Sequence, residues 1–518
     1  MPGSFDTFCP FSYNECQKGG INMISIEKWG TLELEFKGMS DGNPFDDYAI
    51  QAEITNENEK KTITGFYDGD GVYKVRFMPM FEGEYQYRVY GSFSSEEYTG
   101  SFTVTSPSEE NHGPVRAHGF HFFYDDGKPY YEAGTTCYVW VHQNDDLVEK
   151  TLETLSKGYF NKIRFCIFPK HYLYNLHEPV TYPYEGTPCD MEGFDPESLK
   201  GGFKIREGNK WDYRRFVPEH FRRIDRAVIA LRDMSIEADI ILFHPYDRWG
   251  FSQMAMEDML FYLRYAMARY SAFRNIWWSM ANEFDLLYNL SISDWEKLAM
   301  CVCENDPYHH LRSIHNCHVF YDHSRGWVTH SSIQHKQVEL TDQWRIRYQK
   351  PVVIDEMVYE GDINQGWGNI TGQELVRRFW ESSMRGGYAG HGETFDRPDG
   401  ILWWSHGGVL HGESPERIRF LRGILEETPG GLGLKCVSGK SDETVATPEK
   451  RGIPKYFIYY YGNGRSSSRK FHLDDETTYE VEIIDTWNMT IENAGKHKGL
   501  FNISLPGRPY MAIRLREV

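Results

Sequence analysis

The chain has 518 residues and a formal net charge of −19. A surface that acidic repels phosphate backbones and anionic membranes, which argues against nucleic acid or a membrane as partner and favours a neutral substrate. No apolar run approaches the roughly 18 residues of a membrane helix. The opening MPGSFDTFCPFSYNECQKGG lacks the basic start and apolar stretch of a secretory signal, so the expectation is a cytoplasmic protein. The nine cysteines include no C-x-x-C pair and read as reduced thiols rather than a disulfide framework or zinc site.

The length allows two to four domains. From residue 21 to about 106 the chain reads as short alternating strands, TLELEFKG, YAIQAEIT, GVYKVRFMP and EYQYRVYGSF, divided by the turn signals SDGNP, DGDG and FEGE. This grammar predicts an N-terminal immunoglobulin-like β-sandwich over residues 1–108. The acidic turn Asp68–Gly71 reads as a hairpin turn rather than a calcium loop, because the carboxylate spacing of an EF-hand is absent.

From about residue 113 apolar runs alternate with amphipathic helical stretches. Eight strand candidates follow, at 130–140, 160–168, 237–244, 275–283, 311–318, 327–333, 351–356 and 387–393. Helical patterns such as VPEHFRRIDRAVIALRDMS separate them, and TGQELVRRFWESSM opens on a capping box of Thr371 and Glu374. The pattern predicts a central (β/α)8 TIM barrel over residues 109–432. One step is irregular: about nine residues separate the fifth and sixth candidates, too few for a helix. After it, YFIYYYG, RKFHL, YEVEIIDTWNMTI and YMAIRLRE predict a C-terminal β-sandwich over residues 433–518.

Chemistry in such a barrel gathers where strands end. Strand two delivers Arg164, with Lys170 and His171 beyond; strand three delivers His244 and Asp247. Strand four ends in Asn282 and Glu283, strand five in His315, Asn316 and His318. Strand six offers His330, Ser332 and Gln334; strand seven ends at Glu356, strand eight at His391 and Glu393. Glu283 and Glu356 each close an apolar run on strands that face one another across the mouth. Glycoside hydrolysis needs such a pair, one acid protonated and one carboxylate ionised. Apolar neighbours such as Trp278 would keep Glu283 neutral by desolvation, and Asn282 is placed to donate to a sugar hydroxyl.

WSMANEFD and PVVIDEMVYEGD resemble the acid/base and nucleophile motifs of clan A glycoside hydrolases, retaining enzymes built on (β/α)8 barrels. The resemblance implies Glu283 as acid/base, Asn282 as its hydroxyl-binding neighbour, Glu356 as nucleophile and Arg164 as the cation that holds Glu356 ionised. It implies no cofactor and no metal, and an oligosaccharide or glycoside as partner. FNKIRFCIFPK, FHPYDRWG and the GHGETF…WWSHGG region extend it to a bacterial branch with an Ig-like N-terminal module and a small β C-terminal domain. The aromatic that clan members place on strand six is missing from WVTHSSIQH, where His330 and Gln334 are the stand-ins. Glu283 and Glu356 are 73 residues apart, which leaves little room for a long polymer cleft.

His244, His330, Glu393, Trp404 and Trp140 complete the expected substrate-binding set, with Trp140 as pocket floor. Two rivals stand beside the glycosidase: a metal-dependent barrel hydrolase, suggested by the histidines at strand ends, and a non-catalytic carbohydrate-binding barrel. The first lacks an H-x-H pair on strand one; intact Glu283, Glu356, Asn282 and Arg164 argue against the second. A short oligosaccharide processed from its end is the expected substrate. Sugar, linkage and oligomeric state stay open.

Overall fold

The computed structural model describes residues 11–12, 24–190, 205, 207–431, 433–450 and 454–518; Cys9, Cys16 and the leader reading lie outside them. Eight parallel strands form the centre: Gly134–Thr136, Lys162–Cys166, Glu237–Ile241, Ile276–Ser279, Leu311–Ser313, Ser331–Gln334, Val352–Glu356 and Tyr388–His391. They are called strands one to eight below. Hydrogen bonding runs five-four-three-two-one-eight-seven-six, and a parallel bridge between His315 and Ser332 joins the two ends. The seam falls at the short fifth-to-sixth step, which is crossed by turns and no helix. Helices fill the other connections, from Asp145–Leu155 after strand one to Ser414–Glu426 after strand eight.

Helix starts follow from side-chain caps. Ser291 and Asp294 form a full capping box at Ile292–Asn305. The box expected at Thr371 is only half made. Thr371 accepts from the Glu374 N–H, while the Glu374 carboxylate turns to Arg377 and Arg378.

The barrel interior departs from the usual layers of branched apolar side chains. Lys162 lies 2.8 Å from Asp355, 3.1 Å from Glu132 and 3.6 Å from Asp239, all of them buried. One ammonium cannot compensate three buried carboxylates. Burial pushes Glu132 up to about 7 and raises Asp239, whereas Asp355, against its own burial, is held low by Lys162 and Arg164. A three-stranded antiparallel sheet, Val115–His118, His121–Tyr124 and Pro129–Tyr130, closes the barrel floor and was not foreseen in the sequence. Its Phe122 packs 5.0 Å from both Trp277 and Tyr388.

Sheet-rich regions flank the barrel. In the first, strands from two sheets share one core of Leu34, Val75, Ile54 and Phe102. The Asp68–Gly71 segment is a hairpin turn between Phe66–Tyr67 and Val72–Phe77, and Asp68 pairs with Arg269 at 2.7 Å. Arg76 of this region donates to Asp225 at 2.8 and 3.0 Å, and Arg269 donates to the same carboxylate at 2.6 and 3.0 Å. This buried cluster fixes the region to the barrel helices. After the barrel, a six-stranded and a two-stranded sheet follow. Tyr460 stacks on Trp380 at 5.3 Å, and Arg417 covers Trp487 at 3.9 Å. Among the described residues no helix is long and apolar enough to cross a membrane.

Candidate active site

Asn282 and Glu283 leave strand four in a strained turn. Their backbones are pinned on both sides: Asn282 N–H donates to Phe243 O and Phe284 N–H to His315 O, each at 2.9 Å. Glu283 itself has φ +51°, left-handed for a non-glycine residue. Val358, two residues beyond Glu356, has φ +84°, an outlier for a β-branched side chain. Strain held at both carboxylates is characteristic of functional sites.

Each carboxylate is held by its own phenol. Tyr246 donates to Glu283 Oε2 and Tyr138 donates to Glu356 Oε1. With its amide nitrogen turned to the carboxylate, Gln334 of strand six also donates to Glu283 Oε1 at 3.0 Å. Around Glu356, Arg164 Nη1 stands 3.7 Å and His315 Nε2 3.4 Å from Oε1. Ser332 donates to Asp355 at 2.6 Å, so His315 Nδ1–H donates to the Ser332 oxygen, 3.0 Å away.

The surroundings push the two acids in opposite directions. Burial raises Glu283, and the negative charge of Glu356 raises it further. Burial also works against ionised Glu356, but His315, Arg164 and the Tyr138 phenol outweigh it and bring that carboxyl down to about 2. Asn282 Oδ1 accepts from Arg164 at 2.8 Å, with the Tyr138 oxygen 3.1 Å away, and this orientation leaves its amide N–H groups to face a ligand. Trp404 lies beside this group, 5.5 Å from Tyr138 and 4.9 Å from Trp367. A cavity of about 560 Å³ opens on Glu356, with Gln334, Cys317, Tyr359 and Trp367 in its wall. That volume is in the range of small-ligand sites.

Of the residues expected in the site, Glu283, Glu356, Asn282, Arg164 and Trp404 are brought together; four others are placed elsewhere. His330 packs against Trp277 at 5.1 Å and Phe122 at 5.5 Å on the barrel floor. It shares a face with Gln334 but sits four residues earlier, about 13 Å lower at the strand rise. Glu393 points out of the barrel and accepts the backbone N–H groups of His411 and Gly412 at 2.6 and 2.7 Å. Glu360 does the same for Glu413 and Ser414, so this pair clamps the start of helix Ser414–Glu426. Trp140 is a core residue, 5.8 Å from Phe165 and fully enclosed. His244 is buried and neutral, with Nε2 3.2 Å from Phe168 O and burial bringing it down to about 3. Trp278 also faces outward, with Nε1 donating to Asp306 at 3.2 Å; the aromatic against Glu283 is Tyr246.

Histidines at strand ends do not converge on one point. Glu360, His391 and Glu393 are the one set of metal-type ligands gathered among the described residues, and every carboxylate oxygen there already accepts a backbone N–H.

Tyr138, Tyr246, His315 and Lys170 are the neighbours that sequence reasoning left out of the site. Tyr138 carried a signal, since it lies within the first strand candidate, two residues past the end of strand one. Tyr246 sits on FHPYDRWG, a loop tied by Asp247, which accepts the N–H groups of Trp249, Gly250 and Ser252 at 2.7, 3.1 and 2.7 Å.

The barrel is that of a glycoside hydrolase, and comparison with known proteins agrees. A Bacteroides vulgatus ATCC 8482 crystal structure, provisionally classed as a glycoside hydrolase, is 35% identical with a TM-score of 0.87, covering 96% of this chain and 100% of its own. A family 5 glycoside hydrolase of the same organism is 15% identical at TM-score 0.58, covering 78% of this chain and 93% of its own, a likeness of fold alone. The protein is thus a glycosidase. The family model "Apiosidase-like, catalytic domain" matches residues 117–395, more than half of the chain, and the chain belongs to that family. Two domains of unknown function, DUF5060 and DUF5605, match residues 25–92 and 446–516. Among curated proteins the comparison finds no match.

Proposed function

We propose that the enzyme retains anomeric configuration through a double displacement. Glu356 attacks the anomeric carbon and forms a glycosyl ester while the Glu283 carboxyl protonates the departing oxygen. Glu283, now ionised, takes a proton from water as that water displaces Glu356, and the starting charges return. Asn282 donates to a hydroxyl of the sugar, and Arg164 and His315 keep Glu356 ionised between turnovers. What supports this reading is that two buried carboxyls, each accepting from a separate phenol, are pushed in opposite directions by their surroundings, Glu283 up and Glu356 down.

Short glycosides, opened at their terminal sugar, are the proposed substrates. The family description points to apiosyl groups, and the short span between the two glutamates favours a pocket over a long cleft. Tyr174 donates to Gln365, joining the loops after strands two and seven.

Incubation with 2-deoxy-2-fluoro glycosides and peptide mass analysis tests the mechanism. The expected adduct is on Glu356, and the first anomer seen by NMR has the configuration of the substrate. An inverted first product would reject the double displacement. A panel of 4-nitrophenyl apioside, galactoside, glucoside, xyloside and arabinofuranoside identifies the sugar.

A further inference from the structure

Lys170 lies past strand two, on the segment leaving the barrel mouth, and is 2% exposed. Its Nζ is 3.5 Å from the Tyr138 ring centroid, 4.2 Å from that of Tyr246 and 4.7 Å from that of Trp404. Those two phenols are the groups that hold Glu356 and Glu283, so the ammonium is seated against both supports of the reacting pair. Among the described residues no oxygen accepts from Nζ, although the atom itself is not wholly sealed off. Aromatic faces stabilise a buried cation in part, but buried polar groups ordinarily find a hydrogen-bond acceptor. Burial accordingly brings Lys170 down to about 8, with both glutamates opposing that fall.

An acceptor is therefore missing from the protein side, at the place where a sugar would meet both carboxylates. Ionised Glu356 would repel a carboxylate on the sugar, whereas a hydroxyl oxygen accepts without adding charge. Arg164 is unsuited to this task, because its guanidinium is committed to Asn282 and Ser279. A lysine ammonium is a compact charge whose donors rotate to meet an oxygen above the ring cage.

We propose that Lys170 is a specificity-determining residue that donates from Nζ to one hydroxyl oxygen of the sugar bound across Glu283 and Glu356. The inference rests on the glycosidase site described above and adds to it the residue that reads a particular hydroxyl.

Lys170→Met keeps an unbranched chain against the three rings and removes the donor. Its kcat/KM is measured on the panel's 4-nitrophenyl glycosides and on their monodeoxy counterparts, beside wild type. On the parent glycoside the variant loses about 10- to 100-fold, the range for a hydrogen bond to a charged group. On the one counterpart that lacks the contacted hydroxyl, the two enzymes differ by less than about threefold, as a double-mutant cycle requires. An equal loss on the parent and on every deoxy counterpart would overturn the proposal, because a lysine that merely supports the fold is blind to which hydroxyl is absent. Lys170→Leu, which also lacks a donor, carries the same comparison if the methionine variant does not fold. Slow turnover retained by Lys170→Met, against none in Glu356→Ala, keeps failure of this inference distinct from failure of the nucleophile assignment.

Discussion

Arg164 donates to Asn282 Oδ1 at 2.8 Å while standing 3.7 Å from Glu356 Oε1, so one guanidinium orients the amide on strand four and charges the carboxylate on strand seven. Arg164→Met should lower kcat by about 100- to 1000-fold, the size of losing a preorganised electrostatic contact. Glu356 also loses a cation that holds its carboxyl low, so the acid limb of kcat/KM moves to higher pH. A pH profile of the variant checks both.

Glu283→Gln should slow glycosides with poor leaving groups by about 100- to 10,000-fold, the worth of general acid catalysis. Dinitrophenyl glycosides need no proton on departure and lose far less in the bond-breaking step. Azide added to Glu283→Ala should raise the rate and yield a glycosyl azide of retained configuration, read by NMR.

The pH profile of the wild type follows from the two carboxyls acting as a coupled pair. Activity falls on the acid side only as Glu356, brought down to about 2, takes a proton. On the alkaline side it falls as Glu283 loses its proton, above the ordinary carboxylate range. Tyr246→Phe removes a hydrogen bond that favours ionised Glu283, so its alkaline limb moves further up.

Asp225 receives both Arg76 and Arg269 and lies away from the carboxylate pair. Asp225→Ala leaves two buried guanidinium groups without it, at a cost of about 3–5 kcal/mol. Its folded carboxyl is depressed: burial opposes ionisation, and the two arginines overcome it. The stability it contributes is thus present above the unfolded carboxylate pKa and lost as the pH falls through the folded value. Denaturant titrations at neutral and acid pH should show the variant's deficit shrinking on the acid side.

Glu393→Ala separates the clamp from the chemistry. Loss of two backbone acceptor contacts should cost about 1–3 kcal/mol of stability. The kcat/KM of the folded enzyme should stay within about threefold of wild type, as for substitutions that touch no ligand. A loss of activity without a loss of stability would return Glu393 to the substrate pocket.

Much of the barrel was legible because its signals are local. Each apolar strand run and each amphipathic helix carries its own period, and the fifth-to-sixth gap was visible as a missing helix. The site was legible only in part. Trp403 and Trp404 are adjacent and diverge, the first donating to Thr135 at 2.9 Å and the second standing over Lys170. Trp140 shows why alternation fails at a strand end. It sits two positions after Tyr138, on what would be the same face of a continued strand. Strand one ends at Thr136, however, and the 3₁₀ turn Trp140–His142 carries the indole into the core.

The order of strands and helices, the acidic surface and the placement of a glutamate after strands four and seven were determined by the sequence itself, since periodicity and strand ends are properties of neighbouring residues. Which phenol meets which glutamate was decided only in three dimensions. Tyr138 and Glu356 are 218 positions apart, and strand register alone makes them partners. Depth along a strand, the face a side chain takes and the charge its carboxyl keeps all depend on such distant pairings, which no local pattern encodes.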